Sequence, residues 1–303
     1  MASWQAHLSV WIVKWRVKRK LRGVRDYRVA RKILKPDPFK VPSNVRISST
    51  KMGGVPCEWV EAPAMTDATL LYLHGGGYFA CSAALYHSIT ATFALEGFRV
   101  LAPDYRLAPE NQFPAAVDDA VASYRGLLEA GYSPNQIVIG GDSAGGGLAL
   151  SLLLALRQQG LPLPAAAALF SPWTDLAATG ESIQRNALRC AMFYGPDVGP
   201  SAKFYLGDTD PRNPLASPLY ADLAGLPPLL IHVGVNEVLL DDSTRLAERA
   251  KAAGVPVELK IWPVVPHAWQ LAPHLIPEAR QSLKASASFL RSHARPAAST
   301  EVV

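Results

Sequence analysis

Cysteine is scarce in this chain: three residues, Cys57, Cys81 and Cys190, with no C-x-x-C pair and no Cys/His cluster. That argues against a disulfide framework and against the ligand spacings of a metal site, and it favours a reducing compartment, so a cytoplasmic location is expected. Each thiol is expected as a small buried hydrophobe. Internal repeats and low-complexity tracts are absent. Long hydrophobic runs are missing as well. In the N-terminal segment the apolar stretch from Leu8 to Val13 meets Lys14 and Arg16, not a cleavage site, so neither a secretory signal nor a bilayer-spanning helix is expected. Acid is rare at this end: residues 1–40 hold Asp26 and Asp37 against 12 Lys and Arg, a net of +10, whereas the other 263 residues carry −5.

The basic segment also carries Trp4, Leu8, Trp11 and Trp15 at helical spacing, with Val10, Val13, Val17 and Leu21 beside them. The expectation is a helix laid over the core, its Trp stripe covering a pocket mouth and its long basic side chains reaching to water. A membrane-surface helix is the sharper reading. Nucleic acid is not expected as a partner, because no nucleic-acid motif accompanies the charge. A homodimer stays open.

With 303 residues, 49% of them hydrophobic, the chain can bury a large core, as one α/β domain with insertions or as two domains. After Pro36-Asp37-Pro38, strands are predicted near 45–49, 55–61, 69–74, 99–103, 137–140, 166–170, 229–233 and 257–262. Helices are predicted near 87–96, 116–130, 144–159, 243–253 and 277–292. The first two strands leave no room for a helix and should pair as an antiparallel hairpin; the later ones alternate with helices, which implies parallel pairing. Gly160 and Gly254 read as helix ends and Asp242 as an N-cap. The alternation breaks between Trp173 and Leu226, an excursion typical of a lid or binding region. Residues from Arg295 onward read as a frayed tail.

Two glycine-rich turns carry chemistry. Gly141-Asp142-Ser143-Ala144-Gly145 follows the apolar run Ile137–Ile139 and opens a helix, the setting in which a strained strand-to-helix turn exposes a serine hydroxyl. His74-Gly75-Gly76-Gly77 follows Leu70–Leu73 and offers backbone N–H groups that no side chain blocks, as oxyanion stabilisation requires. A serine nucleophile needs a base, and in sheets of this kind the chain order is Ser, acid, His. His7, His74 and His87 precede Ser143, His232 lies within a strand, His274 sits in a Pro-bounded segment and His293 is near the tail. His267, five residues after the last strand, is the base expected. The acid should leave the preceding strand. Asn236 carries no charge, and Asp241 and Asp242 are explained as helix-cap residues, which leaves Glu237, with Asp241 next.

Together with Asp104-Tyr105-Arg106-Leu107-Ala108-Pro109-Glu110, Phe113-Pro114-Ala115-Ala116 and Ser171-Pro172-Trp173, these motifs resemble the bacterial hormone-sensitive-lipase-like esterases, in the branch with Asp before the nucleophile. The resemblance covers nearly the whole chain. It implies an α/β-hydrolase fold: a mostly parallel eight-stranded sheet flanked by helices, with a helical cap. The division implied is N-terminal cap helices over 1–40, a catalytic domain over 41–294 with a cap insertion at about 176–222, and a flexible tail over 295–303. It further implies a triad of Ser143, Glu237 and His267, with an oxyanion hole from the backbone N–H groups of Gly76, Gly77 and Ala144. The chain departs from the family pattern at Glu237, where most members have Asp, and at His267-Ala268-Trp269, where many have His-Gly-Phe. The stretch from Tyr105 to Glu110 suggests no chemistry, and a buried Asp104/Arg106 hydrogen-bond network supporting the glycine-rich loop is expected there. The function expected is hydrolysis of small or short-acyl carboxylic esters, lactones among them, without cofactor or metal. A non-catalytic ligand receptor on the same scaffold is the alternative.

Overall fold

The computed structural model describes residues 2–35 and 39–295. The boundary expected at Pro36-Asp37-Pro38, and the expected tail beyond Arg295, lie outside the described residues. Eight strands form one sheet: β1 (Arg46–Met52), β2 (Val55–Glu61), β3 (Thr69–Leu73), β4 (Arg99–Pro103), β5 (Ile137–Asp142), β6 (Ala167–Phe170), β7 (Leu229–Gly234) and β8 (Val257–Trp262). Their spatial order is β1-β2-β4-β3-β5-β6-β7-β8. The two pairings that involve β2 are antiparallel and the rest are parallel. The hairpin expected from the lack of an intervening helix is therefore present. It closes through Gly53 and Gly54, both at positive φ, where a Cβ on Gly53 would stand 2.0 Å from the Ala122 carbonyl oxygen.

The helices are α1 (Trp4–Val13), α2 (Arg19–Leu21), α3 (Tyr27–Leu34), α4 (His87–Leu95), α5 (Ala115–Glu129), α6 (Ala144–Gln158), α7 (Ser182–Arg185), α8 (Val198–Leu206), α9 (Leu240–Ala252) and α10 (Pro277–His293). A π-helical turn over Lys14–Lys18 joins α1 to α2. The central strands are covered on both faces, so alternate residues supply two cores. Leu71, Leu73, Ile137 and Ile139 pack with Leu148 and Leu152 of α6. Leu70, Tyr72 and Val138 pack with Phe93 of α4 and Leu283 of α10.

Two expectations fail. Helix α9 begins at Leu240 with Leu239 in the cap position, so Asp242 sits in its first turn and does not cap it. Its carboxylate turns away from the helix and accepts the N–H groups of Thr174 and Asp175 at 2.8 and 2.9 Å. The N-terminal helix is rotated against expectation: Trp4, Leu8, Trp11 and Trp15 are 71%, 45%, 63% and 58% exposed. Only the small Ala6 is fully buried in α1, packed with Trp262, Trp269 and Ile276. Polar contacts set the rotation. Ser3 caps α1 and hydrogen-bonds both carboxylate oxygens of Glu278, at 2.6 and 2.8 Å. Lys18 donates to the carbonyls of Ala187 and Cys190 at 2.7 and 2.8 Å.

Candidate active site

Ser143 stands at the carboxyl end of β5 with φ 53° and ψ −122°, a conformation costing on the order of 1–3 kcal/mol that only the surrounding structure can enforce. The enforcement comes from both sides. The Ser143 N–H donates to the Phe170 carbonyl at 2.8 Å, and the Ser143 carbonyl accepts from Trp173 and Gly147 at 2.8 and 3.1 Å. Gly145 is required next to it because a Cβ there would stand 2.0 Å from the Leu73 carbonyl oxygen. Ala144 is followed by three consecutive glycines, poor helix formers placed where close approach outweighs propensity: Gly145 lies against β3, and Gly146 and Gly147 against Pro172 and Trp173.

His267 and Glu237 meet across the ends of β7 and β8. The His267 Nδ1–H donates to Glu237 Oε2 at 2.5 Å, with both side chains 2% exposed. The other carboxylate oxygen, Oε1, accepts the Gly234 N–H at 2.6 Å and the Ser171 hydroxyl at 2.7 Å. Asn186 donates to the Glu237 backbone carbonyl at 2.9 Å. Three donors thus hold the carboxylate, which stays an acceptor and pins His267 in the tautomer that leaves Nε2 with a lone pair. That Nε2 has no hydrogen-bond partner among the described residues.

The other candidates are placed elsewhere. Asp241 accepts from the Ser182 N–H at 2.8 Å and pairs with Arg185 at 2.8 Å. Buried His232 hydrogen-bonds Ser282 at 2.8 Å, and burial lowers its pKa to about 3. His293 bonds the Phe289 carbonyl at 2.9 Å at the end of α10.

Gly76 and Gly77 have φ of 110° and 65°, and neither they nor Ala144 donate a backbone hydrogen bond to another described residue. All three amides border Ser143 or the loop beside it. Asp142 ties that loop to the serine turn. Its Oδ1 accepts the Gly75 N–H and the Tyr72 hydroxyl, both at 3.0 Å, and its Oδ2 accepts the Tyr86 hydroxyl at 3.0 Å. Burial lifts the Asp142 carboxyl to about 6, against the downward pull of these hydrogen bonds. His74 stacks on Tyr105 with ring centroids 4.3 Å apart, and burial lowers its pKa.

The expected Asp104/Arg106 network is not formed. Arg106 is half-exposed and pairs with Asp119 at 2.8 Å, because the backbone after β4 turns its side chain toward α5. Asp104 instead accepts the Ala83 N–H at 2.7 Å. The glycine-rich loop is buttressed from a different direction. Arg31 of α3 donates to the carbonyls of Phe79 and Ala108 and pairs with Glu110 at 2.6 Å, which brings the Glu110 carboxyl down to about 2. Sequence reasoning missed Asp142, Ser171, Asn186 and Arg31 as supporting residues. The first two stand inside quoted motifs, and no local signal marks the last two.

Ser143, His267, Gly76 and Gly77 line a cavity of about 670 Å³. Its other walls come from residues 12–35, through Val13, Val17 and Leu21, and from Phe193, Val198 and Phe204. These two segments also grip each other: Arg25 pairs with Asp197 at 2.9 Å and Arg22 lies 4.3 Å over the Tyr194 ring. The Phe193 ring stands edge-on to His267, with centroids 5.0 Å apart.

The sheet order, the crossovers and a serine on the turn after β5 together define the α/β-hydrolase fold. A family model described as alpha/beta hydrolase fold matches residues 70–271. An acetyl-hydrolase of Streptomyces hygroscopicus is 46% identical over 241 residues, covering 79% of this chain and 81% of that one. An esterase of Acinetobacter venetianus is 37% identical over 256 residues, covering 84% of each. The crystal structure of an esterase from the bacterial hormone-sensitive lipase family superposes with a TM-score of 0.91 at 43% identity, covering 97% of this chain and all of that one. This chain belongs to the bacterial hormone-sensitive-lipase-like esterase family, within the α/β-hydrolases, and is a carboxylesterase. The receptor alternative is therefore not retained.

Proposed function

We propose that Ser143, His267 and Glu237 act as the catalytic triad of this carboxylesterase, and that the backbone N–H groups of Gly76, Gly77 and Ala144 hold the oxyanion. The observation that carries the reading is the buried Glu237–His267 pair at 2.5 Å: the imidazole lines the same cavity as Ser143, and its Nε2 has no partner among the described residues. His267 takes the proton of the Ser143 hydroxyl as its oxygen bonds to the ester carbon. The three amides stabilise the negative charge that moves onto the carbonyl oxygen. When the tetrahedral species collapses, the same proton passes to the departing alcohol. Water, deprotonated by His267, then attacks the acyl carbon; the bond to the Ser143 oxygen breaks, the carboxylic acid leaves, and His267 returns the proton to Ser143. Glu237 accepts the His267 Nδ1–H throughout and stabilises the imidazolium.

Short-acyl esters are the proposed substrates, lactones included, since a lactone presents the same carbonyl in a ring. The acetyl-hydrolase name of a relative and a cavity of about 670 Å³ support small substrates. Residues 1–40 and about 176–222 are proposed as the cap over the catalytic domain, because the described parts of both supply the cavity's outer walls. The unpaired state of the three cysteines supports a reducing, cytoplasmic setting.

The deciding test is Ser143→Ala assayed on p-nitrophenyl esters and on a panel of acyl lengths and lactones. kcat should fall by roughly 10⁵–10⁶-fold with thermal stability unchanged, since residual catalysis from oxyanion contacts and binding survives loss of a nucleophile. Turnover near the parent's level would reject the triad. A flat acyl-length profile would reject the short-acyl assignment alone.

A further inference from the structure

Three of the seven tryptophans stand on the outer face of the N-terminal helical run: Trp4, Trp11 and Trp15, exposed by 71%, 63% and 58%, with Leu8 beside them at 45%. The other four, Trp59, Trp173, Trp262 and Trp269, are buried. Nothing in the fold requires this stripe, because the helix is anchored through Ala6, Ser3 and Lys18 on its other side. Large apolar patches on a surface mark contact sites.

Charge lies along the same segment as the patch. Past Trp15 the run continues into Arg19 and Lys20, followed by Arg28, Lys32 and Lys35, all exposed, with Lys20, Lys32 and Lys35 also at the edge of the cavity that Ser143 lines; the one described acid of this segment, Asp26, is engaged as the N-cap of α3. Aromatic rings at one end and cations at the other match the apolar boundary and anionic headgroups of a bilayer surface. Rings more than half exposed protrude as a ridge, which a deformable lipid interface accepts. A second copy fits poorly, since residues 1–40 carry a net +10 and pairing two such faces would bring like charges together. Among the described residues no helix is long and apolar enough to cross a membrane, so the contact is interfacial.

We propose that the Trp4–Trp11–Trp15 stripe and its basic continuation dock the enzyme on anionic phospholipid surfaces. The inner face of the same helical run, through Val13, Val17 and Leu21, walls the cavity that holds Ser143. Docking therefore brings the cavity wall to the interface, where apolar esters concentrate.

Vesicles of phosphatidylcholine, with and without phosphatidylglycerol, provide the probe. The full chain should sediment with phosphatidylglycerol vesicles at least tenfold more than with phosphatidylcholine alone, and the binding should weaken as salt rises. Brominated phosphatidylglycerol vesicles should quench its tryptophan fluorescence, which only the exposed rings can reach. Trp11→Ser/Trp15→Ser should lose binding by at least tenfold while keeping the circular dichroism spectrum and p-nitrophenyl acetate turnover of the parent. Failure of the parent to bind, binding without bromine quenching, or equal binding by a folded double variant would overturn the proposal. So would a parent dimer in sedimentation velocity that the double variant dissolves, since the occupant of the stripe would then be a second copy. Should the double variant not fold, the bromine quenching of the parent decides alone.

Discussion

The floor and the roof of the cavity are built on different terms. On the floor the two carboxylates beside Ser143 are each held by three buried partners: Glu237 by Gly234, Ser171 and His267, Asp142 by Gly75, Tyr72 and Tyr86. The roof is held by long basic side chains reaching carbonyls and surface carboxylates, as Lys18, Arg25 and Arg31 do, and much of its apolar surface stays exposed. Buried, fully partnered groups tolerate little displacement, whereas half-exposed ion pairs contribute roughly 0–1 kcal/mol each and give way easily. On the function proposed above, chemistry falls to the rigid layer, and access and substrate choice to the softer one.

After loss of Ser143 itself, breaking the floor at Glu237 should have the largest effect. In Glu237→Gln the amide oxygen can still accept from Gly234 and Ser171, which turns the amide N–H₂ toward His267 Nδ1. The ring must then switch tautomer and present Nε2–H to Ser143, so it cannot take the serine proton. kcat should drop by about 10³–10⁴-fold with KM little changed. Glu237→Asp keeps the charge but falls one methylene short, so an intermediate kcat is expected. Asp241→Asn should leave kcat within a few-fold, since its partners lie in the residues after β6. Steady-state kinetics on one short ester checks all three, and the reverse ranking would move the acid to Asp241.

A second cut through the floor reads out as pH dependence. Asp142, lifted by burial to about 6, binds its proton more tightly in the native state than in the unfolded chain. Its contribution to stability is therefore complete below about pH 4 and declines as pH rises through about 6, by on the order of 3 kcal/mol for a shift of this size. Asp142→Asn, which cannot ionise, should flatten that part of the profile. Urea melts of the two proteins between pH 4 and 7 should diverge in favour of the variant as pH rises; parallel curves would show that the carboxyl is ionised throughout.

Breaking the roof should look different. Arg31→Ala removes the contacts to Phe79, Ala108 and Glu110, so the N-terminal segment should loosen. We expect KM to rise several-fold, kcat to change less, and protease to cut within residues 2–35 sooner. A loss of kcat on the scale of the Glu237 variants would mean that the roof shapes the oxyanion loop directly.

The same contrast decides what was legible in the sequence. Strands β3, β5, β7 and β8 read as short runs in the sequence, and Gly76 and Gly77, Ser143, Glu237 and His267 follow them in turn, so the residues proposed for the site were reachable from pattern and order. The anchoring of the roof was not. Arg31 is one of 12 basic residues in its segment, and its partners are carbonyls 48 and 77 positions away, which no local pattern encodes. The Trp stripe misled for a related reason. Spacing shows that four side chains share a face, yet the face that turns inward is chosen by Ala6, which permits close approach, and by the hydrogen bonds of Ser3 and Lys18. Likewise Asp242 resembles a cap in sequence, but the loop after β6 offers it two free amides.

The finest test lies where the floor itself is strained. Ala268, next to His267, has φ 54° and ψ 39°, the left-handed conformation that favours glycine. An L-residue there costs about 1–2 kcal/mol relative to the right-handed region. Ala268→Gly relieves this, but it adds roughly 0.4–1 kcal/mol of unfolded-state entropy. It also removes a mostly buried methyl group worth about 0.8 kcal/mol. The terms nearly cancel, so the variant should stay within about 0.8 kcal/mol of the parent in either direction, which is at most a few degrees in Tm for a chain of this size. Because Glu237 holds the imidazole independently of the backbone at 268, kcat should stay within about twofold. A clear loss of Tm would show that packing of the Ala268 methyl outweighs the strain, and a loss of kcat alone would show that the strain itself aims His267.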